Sequence, residues 1–310
     1  MKPIHPFEPV RTEKFPVGDN WIAQVKWDGV RILTYWDGNS VRLFNRKKNE
    51  RTVQYPELTE INTYCHAASL ILDGEVIALE KGKPSFHKVM KRDGLRSMEN
   101  LNWARRNVEI NYIVFDVLFY NGEWIISRTL EQRQHLLQKI LRPAEGIYSA
   151  DNFSNSASLF QAIQEQEMEG VVCKNLQSAY VLGGKDARWK KIKNYRDLQA
   201  VIGGVTLREN QVNALLLGAY DPEGRLWYIG HAGSGKFTRA EWNELTRQLL
   251  NLKQKNSPFI NQPSRLQDAF WLEPQFTVKV KFMEWTEGGT LRQPSIQALI
   301  RVSPHECLLE

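Results

Sequence analysis

The chain has 310 residues, 42% of them hydrophobic and 25% charged, a balance that argues against disorder and, at this length, for two domains. No apolar run approaches a membrane span, the charged, proline-rich start lacks a signal-peptide pattern, and the widely spaced Cys65, Cys173 and Cys307 and scattered histidines exclude a disulfide framework or a metal pair. A soluble, cytoplasmic monomer is therefore expected, and its net charge of +6 and pI near 9.1 favour an anionic partner, nucleic acid first.

Residues 1–20 hold four prolines and no period, and read as an extended lead-in. Residues 21–25 read as a half-buried strand ending at Lys26, with Asp28, Gly29 and Arg31 close behind. A lysine leaving a strand against a wall of core loses hydration, which lowers its pKa and makes the amine a usable nucleophile. Asp28 sets a carboxylate near it, and Gly29 allows a tight turn or a close approach to a ligand. Arg31 offers a planar fork of donors for phosphate or ribose oxygens. On these residues alone, a hairpin with an exposed Lys–Asp pair is an equal reading.

Residues 31–36 and 41–44 alternate around Asp37-Gly38-Asn39, a hairpin signal, and the second strand ends in Asn45-Arg46. A short helix is expected over 57–69, after Pro56. Residues 70–79 form an apolar strand broken by Asp73-Gly74-Glu75. Burying those carboxylates is costly unless something cationic or hydrogen-bonding meets them. A metal-bound phosphate, a ribose hydroxyl or the Lys26 ammonium would each serve. Between 81 and 106 lies a basic cluster that includes Lys91, Arg92, Arg96, Arg105 and Arg106, with Phe86, Met90 and Leu95 as apolar anchors. It reads as an outward surface for backbone phosphates.

Residues 110–120 read as a core strand, in which Phe115 is either packing or a platform for a flat ring. An amphipathic helix over 129–141 turns Leu130, Leu136, Leu137 and Ile140 inward. A second helix, 158–167, precedes Glu169-Gly170-Val171-Val172-Cys173-Lys174, a strand framed by an acid and a lysine. Beyond Gly183-Gly184 comes the densest basic patch, Lys185, Arg188, Lys190, Lys191, Lys193 and Arg196, interleaved with Trp189 and Ile192. Strand alternation puts Lys191 and Lys193 on one face and Lys190 on the other.

The pattern then restarts. Strands over 201–205, 214–220, 226–230 and 277–282, with one helix over 239–250, suit an OB-type barrel, a frequent nucleic-acid binder. The expected domains are 1–196 and 197–310, with a linker in 194–197. Residues 230–236 carry the glycine and lysine spacing of a phosphate-binding loop, but Phe237 stands where Ser or Thr is required and no parallel crossover surrounds it. That segment reads as a barrel turn.

Taken in order, Lys26-Trp27-Asp28-Gly29 with Arg31, Asn45-Arg46, Asp73-Gly74-Glu75, Phe115-Asp116, the strand from Glu169 to Lys174, and Trp189-Lys190-Lys191-Ile192-Lys193 resemble the nucleotidyltransferase motifs of ATP-dependent polynucleotide ligases. Phe282-Met283-Glu284-Trp285-Thr286 and Leu291-Arg292-Gln293-Pro294 are similar to the ligase module of bacterial non-homologous end-joining proteins. The resemblance spans nearly the whole chain. It implies an α+β fold, an antiparallel-sheet nucleotidyltransferase (adenylation) domain followed by an OB-fold β-barrel domain.

By that resemblance Lys26 attacks the α-phosphate of ATP, Arg31 and Glu75 hold the ribose, and Phe115 stacks on adenine. Gln24, Val25 and Lys174 complete the nucleotide site, Asp28 accompanies the lysine, and Arg46 reaches the nucleic-acid 5′-phosphate or terminal ribose. Glu169, with Glu75, would bind Mg²⁺ or Mn²⁺, and Lys191 and Lys193 would neutralise charge building on the α-phosphate. AMP then passes to a 5′-phosphate of nicked or broken double-stranded DNA, and a 3′-hydroxyl displaces it. An end-bridging protein and a separate repair polymerase are the implied partners. Two departures stand out. Gln24 sits where the family often has Glu, which contacts the adenine amino group, and by the resemblance its side-chain carbonyl can still accept that hydrogen bond. Arg301-Val302-Ser303-Pro304 lacks the Asp-Lys of the last motif, so that either Arg292 and Arg301 suffice to orient pyrophosphate or self-adenylation is weakened. An RNA ligase, a GTP-using capping enzyme or a non-catalytic nucleic-acid-binding remnant are the alternatives.

Overall fold

Strand alternation decides how the first half is layered. In the computed structural model, which describes residues 1–208, 211–261 and 269–309, Met1–Asn194 and Tyr195–Glu310 form two units. The first unit holds two sheets. One runs in the order Glu8–Arg11, Lys185–Lys193, Gly170–Asn175, Trp21–Val25. Ala23, Val171, Cys173 and Ile192 point to one face of it and pack on Leu159 and Ile163 of the helix Ser156–Glu165. The cross-strand register places Gln24 opposite Val172 and Val172 opposite Lys191, with Lys174 opposite Trp189, so these residues share the other face.

The second sheet runs Val41–Asn45, Val30–Trp36, Leu70–Ile77, Asn111–Tyr120, Ile147–Ser149. Its outer face, with Ile32, Leu43, Leu72, Val114 and Val117, is covered by Leu137 and Ile140 of the helix Leu130–Ile140 and by Val89 of Phe86–Asp93. Its inner face contributes Leu33, Tyr35, Phe44, Ile71 and Leu118 to a cluster shared with Phe7, Tyr180, Trp189 and Val172 of the first sheet's side. The two sheets therefore meet face to face, and the charged residues sit along that shared layer.

Three expectations change here. The proline-rich start is not only a lead-in, because Glu8–Arg11 is a parallel edge strand against Lys185–Lys193. Pro9 is compatible with that, since an edge strand need not donate on both sides. The helix expected over 57–69 is two single turns, Pro56–Thr59 and Ile61–Tyr64, held by burial of Leu58, Ile61 and Tyr64, after which Cys65 is extended. Asn62 and Thr63 are weak helix formers, and four residues cannot sustain a helix against them. The segment 194–197 is not a loop throughout, because Arg196 and Asp197 already pair with Phe282 and Lys281. Arg196 thus belongs to the second unit.

Among the described residues, that unit is a seven-stranded antiparallel sheet of the OB type. Its spine is the 13-residue strand Arg196–Arg208, whose first half pairs with Thr277–Phe282 and whose second half pairs with Ala269–Leu272. One strand serving two partners in succession is how such a sheet turns a corner. The helix Arg239–Leu250 starts at a Thr238–Glu241 capping box and buries Leu245 and Leu249 in the barrel core. The strands Ala269–Leu272 and Ser295–Ile300 escaped the sequence reading. No described helix is long and apolar enough to cross a membrane.

Candidate active site

Lys26 follows directly on the strand Trp21–Val25, and its backbone N–H donates to the Gly170 carbonyl at 2.9 Å. That bond sets Lys26 beside Glu169. The Lys26 ammonium makes a short ion pair with Glu169 Oε2, while Lys193 Nζ lies 3.2 Å from Glu169 Oε1. Glu169 is 7% exposed, so one buried carboxylate joins two cations that are distant in sequence. Two glycines make the approach feasible. Gly170 has φ +146°, and a Cβ there would collide with the Ile192 carbonyl; a Cβ on Gly29 would collide with the Val76 carbonyl. The first lets the Glu169 strand close on Lys193. The second lets the 26–29 turn, with half-buried Asp28, lie against the strand carrying Glu75.

Lys191 is half-buried on the same face as Lys193. Burial, followed by the Lys26, Lys193 and Lys185 cations, pushes its pKa below the ordinary range. Lys190 points the other way, its Nζ 4.8 Å from the Trp21 ring centroid.

Arg31 is clamped. Its Nε and Nη2 donate to Asp73 Oδ1 and Oδ2 at 2.8 and 2.6 Å, and Nη1 donates to the Phe7 carbonyl at 2.7 Å. Tyr180 Oη donates to the same Asp73 at 2.7 Å. The charge inside the apolar strand is thus met by Arg31 and Tyr180, a pairing the sequence did not single out. Glu75, two residues on, has its pKa pushed up to about 8 by burial, with Lys26 and Arg31 pulling it down and Glu169 and Asp73 adding to the rise. The Glu169 charge adds to the cost of ionising Glu75, and a hard divalent cation, which takes few protein oxygens when phosphates supply the rest, would offset that cost.

Phe115 is half-buried, edge-on to Trp189 with centroids 6.1 Å apart, and the Arg31 guanidinium lies 5.2 Å from its ring centre. Lys174 Nζ is 4.1 Å from the centroids of both Phe115 and Trp189. Burial lowers the pKa of Lys174 to about 7, against the opposing pull of Asp116 and Asp73. A depressed lysine pKa costs stability in full below pH 7, where folded and unfolded chains are both protonated. The cost fades as pH rises towards the unfolded value of 10.5. Lys174→Met should therefore raise unfolding stability at pH 6 and raise it less at pH 9.5. Each pKa unit is worth about 1.4 kcal/mol, and urea titrations at the two pH values check the difference.

Gln24 is 2% exposed, on the site face. Val25 is placed otherwise: its side chain packs in the cluster under the helix Ser156–Glu165 and takes no part in the site. Arg46 sits at an exposed rim, 3.6 Å from Glu8. Arg292 and Arg301 lie in the second unit, Arg292 paired with Glu284 at 2.6 Å and Arg301 exposed. Neither is among the residues that the first unit assembles.

The expected basic surface over 81–106 needs a correction at Arg92. It is fully buried, donating to the Gln54 and Val108 carbonyls and paired with Glu57. Its role is to tie the helix Phe86–Asp93 to the 54–57 segment. Val89, not Phe86, is the buried anchor, while Lys91, Arg96 and Arg106 remain exposed. Sequence reasoning also missed Asp116–Arg133, a pair with both side chains 0% exposed. An acid inside an apolar strand was the available signal.

Two family models match, the ATP dependent DNA ligase domain over residues 8–193 and the ATP dependent DNA ligase C terminal region over 208–301. The multifunctional non-homologous end joining protein LigD of Mycolicibacterium smegmatis is 30% identical over 288 residues, covering 90% of this chain and 36% of that protein. The chain thus spans about a third of the length of that relative. The SPbeta prophage-derived DNA ligase-like protein LigB of Bacillus subtilis is 27% identical and is covered over 95% of its length. The crystal structure of the ligase domain from M. tuberculosis LigD superposes with a TM-score of 0.54 at 26% identity, over 99% of this chain and 98% of that one. A mycobacterial DNA ligase D complexed with ATP and MES matches with a TM-score of 0.53. With the lysine, its carboxylate partner and the second lysine gathered on one sheet face and both halves of the chain matched, this chain belongs to the ATP-dependent DNA ligase family.

Proposed function

We propose that the chain seals 5′-phosphate/3′-hydroxyl breaks in double-stranded DNA through a lysyl-AMP intermediate. The observation that carries this reading is the single buried carboxylate, Glu169, shared by Lys26 and Lys193. Lys26 Nζ, once a proton has passed from it to its partner Glu169, attacks the α-phosphorus of ATP, forming a P–N bond as the bond to pyrophosphate breaks. The same AMP moves to a DNA 5′-phosphate, and the 3′-hydroxyl oxygen then displaces AMP. Lys191 and Lys193, fixed on one face, meet charge that builds on the α-phosphate in each step, which is where preorganised cations matter most. Arg31, already oriented by Asp73, and Glu75 take the ribose, and Phe115 carries the base. Glu169 and Glu75 would hold Mg²⁺ or Mn²⁺, which offsets triphosphate charge when bound.

An end-joining role follows the similarity to LigD proteins, whose names include it, and with it an end-bridging protein and a separate polymerase as partners. The test is incubation with α-labelled ATP and a divalent metal, then a nicked duplex. A labelled protein band that is chased into sealed DNA is expected; no label after prior treatment with pyrophosphate would overturn the reading. Lys193→Ala should slow AMP transfer by about 10²- to 10³-fold while leaving nicked-DNA binding within reach of a band shift.

A further inference from the structure

Gln24 lies in a chain of three side-chain amides. Its Nε2 donates to Asn152 Oδ1 at 2.8 Å, and Asn152 Nδ2 donates to Gln134 Oε1 at 2.5 Å. Gln24 and Gln134 are 2% and 7% exposed. Asn152 is more open, but the chain beside it is pinned: Ala23 and Phe153 exchange both backbone hydrogen bonds, at 2.8 and 2.9 Å. Asn152 is thereby held next to the strand that ends at Lys26.

Such a chain has a direction, because an amide offers a donor at one end and an acceptor at the other. With Nε2 committed to Asn152, the Gln24 Oε1 is the atom turned the other way. Gln24 shares its sheet face with Val172, Lys174 and Lys191, and Val172 packs in the cluster that includes Phe115. A purine lying on Phe115 would meet Gln24 along its edge. A 6-amino group donates to Oε1, whereas a 6-oxo group would bring lone pairs against lone pairs. Reversal of the chain would put Nε2 there and reverse the choice.

We infer that Asn152 and Gln134 are positioning residues that hold the Gln24 amide as an acceptor, so that the nucleotide site selects a 6-amino over a 6-oxo purine. This deepens the proposed self-adenylation and rests on it for the place of the base. It also accounts for glutamine at a position where a carboxylate, which can only accept, would need no such support.

The test measures Kd for the α,β-methylene triphosphates of adenosine and guanosine, which bind without transfer, and separately the formation of labelled protein with ATP and GTP. Gln134→Glu, an acceptor only, and Asn152→Asp, which still accepts from Gln24, should keep the wild-type preference for adenosine. Gln134→Lys, a donor only, should turn the Asn152 amide over and lower the adenosine-to-guanosine selectivity by about tenfold or more. Asn152→Ala should lower it by a similar factor. A merely structural role would weaken both nucleotides alike and leave the ratio unchanged in every variant. That outcome, or equal selectivity in Gln134→Glu and Gln134→Lys with thermal melts like the wild type, overturns the inference. A wild type that prefers the adenosine analogue yet never forms labelled protein would overturn the reaction and leave the relay standing.

Discussion

Lys26→Ala should form no detectable protein–AMP, a loss on the order of 10⁴-fold or more, as expected when a covalent nucleophile is removed. The fold should survive. Lys193 stays 3.2 Å from Glu169, so the buried carboxylate keeps a cationic partner, and Lys26 itself is 21% exposed. Lys26→Arg sharpens the experiment, because a guanidinium can still pair with Glu169 but cannot act as the nucleophile. Both variants should bind nicked DNA. Both should also seal a nick that is supplied already adenylated, since that step needs no new P–N bond. A labelled band from either variant on a denaturing gel would place the nucleophile elsewhere.

The largest effect on stability is expected at Arg133. Its guanidinium donates to both Asp116 oxygens at 2.8 and 3.0 Å and to the Arg128 and Ser178 carbonyls at 2.6 and 3.2 Å. Neither side chain of the pair reaches solvent. Arg133→Met leaves a carboxylate buried without its cation, at a cost of about 3–5 kcal/mol. The double variant Arg133→Met, Asp116→Leu removes both charges and should recover much of that loss, because a buried pair is worth little over well-packed apolar groups. Denaturant unfolding checks both arms. If the single variant costs less than the double, the Asp116–Arg133 pair is not a strut of the fold.

Much of the site was legible in the residues, and what was hidden has a common cause. The alternation of Lys191 with Lys190 follows from local spacing, which a strand's period of two converts directly into facing, whereas the roles of Lys26 and Glu169 came from the order of motifs that resembles the ligase family. The helix Arg239–Leu250 lies where one was expected, over 239–250. The partners of buried charges were not. Asp73 meets Arg31, 42 residues away, and Tyr180, 107 away, and nothing in the intervening sequence marks those encounters. Arg92 shows the converse error. Among so many surface cations it looked like one more, yet Glu57 and two carbonyls draw it inside. Val25 follows the alternation rule, which assigns its side chain away from Gln24 and its backbone alone to the site's edge.

The strand that delivers Lys26 lies at the edge of its sheet, and its ladder neighbour is Gly170–Asn175. During synthesis the second sheet can assemble from neighbours within the first 150 residues, but the strand Trp21–Val25 must wait until the chain is about 175 residues long. At roughly 5–20 residues per second, the 150 or so residues between that strand and its partner take about 8–30 seconds to make. The lysine strand also belongs to the long-range pairings that slow folding through the entropy of closing large loops. The reactive amine is therefore set in place after the second sheet, and a growing chain carries no working nucleotide site until the segments bearing Glu169, Lys191 and Lys193 have emerged.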